Sequence, residues 1–337
     1  MTELPLTGIA ISGVGHKLPS NFEDNHSLCR FLDVSPEWIV EKTGIKRRYI
    51  AAKDEIASDY ASDACLSALA MANIDPADID LIIVCTFSGE YIFPPVSAKV
   101  QHNLNAINAQ VFDIQANCAG FVTGLTVGAD RMKSDHCVRN ALIVGVEFCT
   151  RYVDREDVNS AIYLSDGAGA VVLSRVPINY GILASAFLCD SSNYDSVRLR
   201  GGGSSFRANN GNATNDHNSM EMNGLATWKQ AITHLPSVIR RACSKSGTDV
   251  KGIDFIIFHQ ANLRLIEYLM RKMGLNMQKT YTNVQDIGNT GSASLAIALS
   301  EAVSKGMLKN GDIVVLAAVG AGFTFAANVW TWHLQNS

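Results

Sequence analysis

The sequence predicts an α/β protein made of two similar halves, and three observations predict it. Helical and strand periodicities alternate along the chain, as they do when the strands of a largely parallel sheet are joined by helices. Two apolar strand runs recur at a nearly constant offset. Ile79-Asp80-Leu81-Ile82-Ile83-Val84 returns as Ile253-Asp254-Phe255-Ile256-Ile257-Phe258, 174 residues on (254 against 80), and Leu142-Ile143-Val144 returns as Ile313-Val314-Val315, 171 residues on (315 against 144). The length of 337 residues also exceeds that at which a single core usually stops growing. A duplicated unit of roughly 170 residues divides the chain into halves at 1–175 and 176–337.

Taken in order, residues 59–71 read as an amphipathic helix, 81–86 as a buried strand, 96–104 as helix and 109–113 as strand. Residues 120–133 follow as helix, 140–146 as strand, and a strand pair is expected around the turn Ser165-Asp166-Gly167. Between the halves, Gly201-Gly202-Gly203-Ser204-Ser205 and the polar stretch to Ser219 form a loop with little to bury. A phosphate-cradling glycine loop follows a strand and opens a helix; this one opens into further polar residues, which excludes a dinucleotide-binding reading.

Apolar residues make up 47% of the chain, charged residues 18%, and the net charge is −4, a balance that fits a densely packed enzyme and gives no reason to expect nucleic acid as a partner. Met1 to Pro5 carry no basic segment ahead of a long apolar run, and later apolar runs such as 81–84 and 313–319 fall short of the about 20 residues a bilayer needs. A cytoplasmic protein without a membrane span is expected. The eight cysteines show neither C-x-x-C spacing nor clustering with histidine, so no metal site or disulfide framework is expected. Asn25-His26-Ser27 and Asn212-Ala213-Thr214 match the glycosylation pattern but carry no weight without export.

Three residues stand where chemistry is expected. Cys118 follows a strand and precedes Ala119-Gly120-Phe121, small residues that let the chain turn into a helix. A helix N-terminus favours thiolate over thiol and lowers the cysteine pKa, although most cysteines are only small buried hydrophobes. His259 ends the buried strand 255–258, where an open α/β sheet places its ligand crevice. Asn289, in Gly288-Asn289-Thr290-Gly291-Ser292-Ala293-Ser294, opens a helix 171 residues after Cys118, so a two-fold repeat brings both helix starts to one centre; a plain helix cap is the alternative. Gly320-Ala321-Gly322-Phe323 follows the strand 313–319 and can present backbone amides to a ligand or form a simple tight turn.

Together with Trp38-Ile39-Val40, Thr43-Gly44-Ile45, Asp166-Gly167-Ala168-Gly169-Ala170 and His259-Gln260-Ala261-Asn262-Leu263-Arg264, these segments stand in the order of the β-ketoacyl-acyl-carrier-protein synthase III family, which the chain resembles over almost its whole length. The resemblance implies a five-layered αβαβα thiolase fold, a homodimer, and decarboxylative Claisen condensation of an acyl primer with malonyl-carrier protein, in fatty acid initiation or a specialised pathway. Cys118 takes the acyl group; His259 and Asn289 stabilise the enolate; the amides of Cys118 and Ala321 form the oxyanion hole.

The resemblance also assigns the tunnel. Trp38 matches the tryptophan that stacks on the coenzyme A adenine, with Val158 and Lys42 standing where the family carries arginines. Met222, Gly224, Trp228 and Asn262 line the pantetheine and acyl path, and Phe93 caps the acyl pocket from the partner subunit. Lys229, Arg264, Arg271 and Lys272 meet the acidic acyl carrier protein. No resident cofactor is implied: the acyl donor is a coenzyme A or carrier-protein thioester, and phosphopantetheine arrives on the carrier. Two rivals share the fold, a non-decarboxylating acyltransferase and a non-catalytic ketosynthase partner subunit. Related acyl-transferring members replace the asparagine, and non-catalytic subunits lose the triad, whereas this chain keeps Cys118, His259 and Asn289.

Overall fold

The computed structural model describes residues 7–205 and 218–334. The strands are β1 (Thr7–Lys17), β2 (Phe22–Asp24), β3 (Arg47–Tyr49), β4 (Leu81–Cys85), β5 (Gln110–Ile114), β6 (Asn140–Phe148), β7 (Asp166–Pro177), β8 (Gly181–Cys189), β9 (Val197–Leu199), β10 (Met220–Met222), β11 (Phe255–Phe258), β12 (Ile313–Gly320) and β13 (Thr324–Thr331). The α-helices are α1 (Asn25–Leu28), α2 (Pro36–Thr43), α3 (Ala57–Ala72), α4 (Val96–Leu104), α5 (Gly120–Ser134), α6 (Val158–Ala161), α7 (Gly224–Lys245), α8 (Leu263–Met273), α9 (Val284–Ile287) and α10 (Ala293–Ser304).

Two sheets carry the molecule. The first has the order β1-β7-β6-β4-β5, the second β8-β13-β12-β11, and an isolated parallel bridge from Ile256 to Thr280 extends the second sheet beyond β11. Strand senses agree as well: β4 is parallel to β6 as β11 is to β12, while β7 and β13 run antiparallel to those neighbours.

Both sheets are covered on both faces, which is why their parallel strands read as continuous apolar runs. Along β4, Leu81, Ile83 and Cys85 point to the centre of the molecule, whereas Ile82 and Val84 point outward to α3 and α4. Along β12, Val314, Leu316 and Ala318 point inward, and Val315, Ala317 and Val319 face α7 and α8. Helices α5 and α10 lie between the sheets, so the order α3/α4, sheet, α5/α10, sheet, α7/α8 gives the five layers of the thiolase fold. No helix among the described residues is long and apolar enough to cross a membrane.

The central helices reach the first sheet only because the sheet supplies glycine. A methyl group at Gly145 on β6 would lie 2.6 Å from the Ser292 carbonyl oxygen and 2.9 Å from Ala293 Cα. Both are backbone atoms, which cannot swing aside. Gly145→Ala is therefore expected to destabilise the fold by about 1–3 kcal/mol, the usual range for overpacking, read as a lower urea midpoint; an unchanged midpoint would show that α10 can yield here.

Two expectations need correction or fall outside view. Ser165-Asp166-Gly167 is no hairpin turn: Asp166 begins β7 and pairs with Phe148 of β6. Its buried carboxylate accepts the amides of Ala51 (2.8 Å) and Thr150 (2.8 Å) and the Thr150 hydroxyl (2.6 Å), so it clips two loops to the sheet. Asn212-Ala213-Thr214 and most of the polar stretch to Ser219 lie outside the described residues.

Candidate active site

Cys118 follows β5 and His259 follows β11, whereas Asn289 follows the short helix α9 and is joined by a parallel bridge to Leu164, just ahead of β7. Cys118 lies in a 3-10 turn, Asn117–Ala119, directly ahead of α5. Asn117 adopts a left-handed conformation (φ 48°), which asparagine tolerates better than most residues, and its Nδ2 donates to the Ala321 carbonyl at 3.0 Å. Gly320 seals this contact. A methyl group there would sit 2.5 Å from the Ala116 carbonyl oxygen and 2.8 Å from the Ala119 nitrogen. The turn bearing the thiol in the first half and the Gly320–Gly322 turn of the second are thus held together. Ala321 is absent from the residues with positive φ.

The electrostatics at Cys118 differ from the sequence expectation. Its residue keeps partial exposure, but protein packs densely around the sulfur, and burial pushes the thiol up to about 12, with the Glu147 carboxyl adding in the same direction. The local amide favours the thiolate, as expected at a helix start, and is outweighed. The group rests as a thiol at neutral pH.

His259 continues β11, its amide bonded to the Ala317 carbonyl at 2.9 Å. Its Nδ1 lies 2.6 Å from Ser294 Oγ, and that oxygen also accepts the Gln260 amide at 3.1 Å. When the serine hydrogen goes to Nδ1, the imidazole proton sits on Nε2, the tautomer that donating from Nε2 requires. Burial lowers the His259 pKa to about 4, so the ring is neutral at pH 7. Protonating Nδ1 removes the acceptor of the Ser294 hydrogen and puts a charge on the buried ring. The acid limb of the condensation rate is therefore expected near pH 4, and a limb near 6.5 in the pH–rate profile would contradict the assignment.

Asn289 is placed by backbone on both sides: its amide donates to the Tyr163 carbonyl (2.8 Å) and its carbonyl accepts the Ser165 amide (2.9 Å). It lies four residues ahead of α10 and is not that helix's cap. Its Oδ1 accepts the Gly291 amide at 2.9 Å, which fixes the orientation of the carboxamide and leaves Nδ2 as the presented donor. Neither Ser294 nor Glu147 was singled out from the sequence. Ser294 was hidden in a run of small residues, while Glu147 announced itself as the one acid in the otherwise apolar stretch 141–148.

The residues assigned to the tunnel form a second group. Trp38, about one-third exposed, and Lys42, paired with Glu41 at 3.1 Å, lie on α2. Asn262 caps α8: its Oδ1 accepts the amides of Arg264 (2.7 Å) and Leu265 (3.3 Å), and its Nδ2 donates to the Lys42 carbonyl at 3.3 Å. Arg264 donates to the Glu41 carbonyl (3.0 Å) and the Val40 carbonyl (3.1 Å) and pairs with Glu267, so it fastens α2 to α8 besides contributing charge. Trp228 packs on Tyr268 (centroids 5.8 Å apart), beside which Arg271 and Lys272 also lie. Lys272 donates to the Ile232 carbonyl at 2.7 Å.

Met222 ends β10, and Gly224 begins α7 behind the capping residue Asn223. Lys229 lines a cleft of about 410 Å³ along α7 with Asn193, Leu225 and His234, apart from Cys118. Phe93 stands alone of the group, 83% exposed beside the equally exposed Tyr91 and Ile92.

Comparison with known proteins agrees with this architecture. The family described as 3-oxoacyl-[acyl-carrier-protein] synthase III matches residues 112–191, and its C-terminal counterpart matches residues 243–332. The chain is 36% identical to the β-ketoacyl-[acyl-carrier-protein] synthase III of Clostridioides difficile (strain 630), covering 97% of this chain and 99% of that protein. It is 38% identical to the protein of the same name from Caldanaerobacter subterraneus subsp. tengcongensis, over 96% and 97% of the two chains. Among solved structures it resembles 3-oxoacyl-[acyl-carrier-protein] synthase III from Aquifex aeolicus VF5 (TM-score 0.88, 34% identity, 96% and 100% covered). It also resembles the priming β-ketosynthase of the R1128 polyketide biosynthetic pathway (TM-score 0.89, 30% identity, 98% of each chain).

Proposed function

Because the chain belongs to the 3-oxoacyl-[acyl-carrier-protein] synthase III family, we propose that it joins an acyl primer to malonyl-carrier protein by decarboxylative condensation, as in the initiation of fatty acid synthesis. One observation carries the site assignment: the thiol turn of the first half is bonded directly to the Gly320–Gly322 turn of the second, in a chain that also holds a neutral imidazole at the end of β11 and an oriented carboxamide ahead of α10.

In the first step the Cys118 sulfur attacks the primer thioester. The new S–C bond replaces the bond to the leaving sulfur, which departs with the thiol proton. Because the thiol is raised and His259 is neutral, the proton moves during attack and not before it. In the second step the bond between the malonyl α-carbon and its carboxylate breaks and carbon dioxide leaves. The electron pair becomes an enolate, whose oxygen receives the His259 Nε2 and Asn289 Nδ2 hydrogens. The α-carbon then attacks the acyl-cysteine, the amides of Cys118 and Ala321 hold the tetrahedral oxyanion, and collapse breaks the C–S bond, releasing Cys118 as a thiolate that takes a proton from solvent to return to the resting thiol. All the reacting groups on the protein side are its own side chains and amides.

Trp38, Lys42, Met222, Gly224, Trp228 and Asn262 are proposed to line the path of the pantetheine arm, and Lys229, Arg264, Arg271 and Lys272 to attract an acidic carrier protein. The exposed run Tyr91-Ile92-Phe93 supports a homodimer, since contiguous apolar surface of this kind gains by being covered. Retention of the cysteine, histidine and asparagine disfavours both the acyltransferase and the non-catalytic rivals. Assaying the protein with acyl thioesters and malonyl-carrier protein tests the reading: carbon dioxide and a β-keto product formed in equal amounts, dependent on the primer, are expected. Ester transfer or hydrolysis alone would refute it.

A further inference from the structure

Glu147 is fully buried near the end of β6, where it joins the two halves of the site. Its carboxyl meets Ser88 Oγ at 2.5 Å, Ser292 Oγ at 2.9 Å, Thr86 Oγ1 at 3.3 Å and the Phe87 amide at 3.3 Å. These partners are hydroxyls and an amide, with no cation among them. Ser292 belongs to the segment between Asn289 and α10, so this contact fastens the asparagine loop to the strand ends of the first sheet.

A count of hydrogens bears on the form of the acid. Ser292 Oγ lies 2.6 Å from the Cys85 carbonyl as well as 2.9 Å from Glu147 Oε1. A carbonyl only accepts, and a serine hydroxyl carries one hydrogen. If that hydrogen goes to Cys85, the second contact needs a hydrogen from the carboxyl. Burial acts in the same direction and outweighs the hydrogen bonds from Ser88, Ser292, Phe87 and Thr86, which favour the carboxylate, so that Glu147 is pushed up to about 7.

The titratable groups facing Glu147 are Cys85 from β4, Cys118 ahead of α5, and Cys149 and Tyr152 from the turn after β6. Asp113 acts on Cys85 and Asp166 on Cys149 from farther strands. A negative Glu147 opposes ionisation of each of the four facing groups, Cys118 included.

We propose that Glu147 is a positioning residue that works as an uncharged acid, holding Ser292 and the Asn289 loop against the strand ends behind Cys118, and that its ionisation slows acylation of that thiol. Losing the hydrogen releases Ser292, and the added charge resists the negative sulfur and oxyanion that develop as the acyl group transfers. This rests on Cys118 as the acyl carrier.

Glu147→Gln separates the possibilities, because a carboxamide keeps a donor for Ser292 and an acceptor for Ser88 but never ionises. Acylation rates of both proteins are read by intact mass from pH 6 to 9. The ratio of E147Q to wild type is expected to be near one at pH 6 and to rise several-fold by pH 8.5. A ratio that does not change with pH, or an E147Q that acylates slowly at pH 6 while unfolding like the wild type, overturns the inference. Infrared spectra of the wild-type protein keep the test open should E147Q fail to fold: a protonated-carboxyl band at pH 6 that fades toward pH 9 supports it, and no such band at pH 6 overturns it. Absence of any Cys118 adduct in the wild type instead refutes the underlying functional reading.

Discussion

Replacing Cys118 with alanine is expected to leave no acyl-enzyme and to lower condensation by at least about 10⁴-fold, because the group proposed to carry the primer is gone. The same variant is expected to keep releasing carbon dioxide from malonyl-carrier protein. His259 and Asn289 are oriented by Ser294, by the Gly291 amide and by the backbone of Tyr163 and Ser165, and none of these contacts involves the thiol. Decarboxylation uncoupled from carbon–carbon bond formation is therefore the signature of the variant. It is read by comparing released carbon dioxide with β-keto product; loss of both activities in a folded protein would show that the enolate site depends on the sulfur.

Asn289→Ala has the opposite signature. Removing one donor from a preorganised oxyanion site typically lowers a rate by about 10²–10³-fold, and that loss is expected in the malonyl step. Acylation of Cys118 should stay within a few-fold of wild type, so the acyl-enzyme accumulates and is visible by intact mass. His259→Ala should behave similarly in the malonyl step. Equal losses in both half-reactions for Asn289→Ala would place the carboxamide at the primer and not at the enolate.

Much of the fold was legible because the parallel strands are buried on both faces. Runs such as 81–84 and 313–319 contain almost nothing but apolar residues, and the helix 96–104 is observed at the same bounds. The turn expected at Ser165-Asp166-Gly167 failed because Asp and Gly commonly mark turns. Here Asp166 is instead a buried acceptor for loops whose approach no local pattern reveals.

Strand ends marked Cys118 and His259 as candidates and the repeat offset marked Asn289, but their electrostatics were not legible. A helix start argues for a lowered thiol pKa, and only the packed structure reveals the burial that reverses it at Cys118. Ser294 and Ser292 escaped for a similar reason. Their partners, His259 and Glu147, are 35 and 145 residues away, a separation that one sequence does not expose. Asn262 and Arg264 illustrate a further limit: matched by motif to ligand and carrier contacts, they are also engaged in capping α8 and fastening α2.

The most direct test is a two-stage mass measurement on the wild-type protein. Incubation with an acyl thioester should add one acyl group, mapped to the peptide containing Cys118, and a chase with malonyl-carrier protein should remove it and deliver a β-ketoacyl group to the carrier. An adduct on another residue, or discharge of the acyl group to water without a β-keto product, would contradict the assignment of this centre.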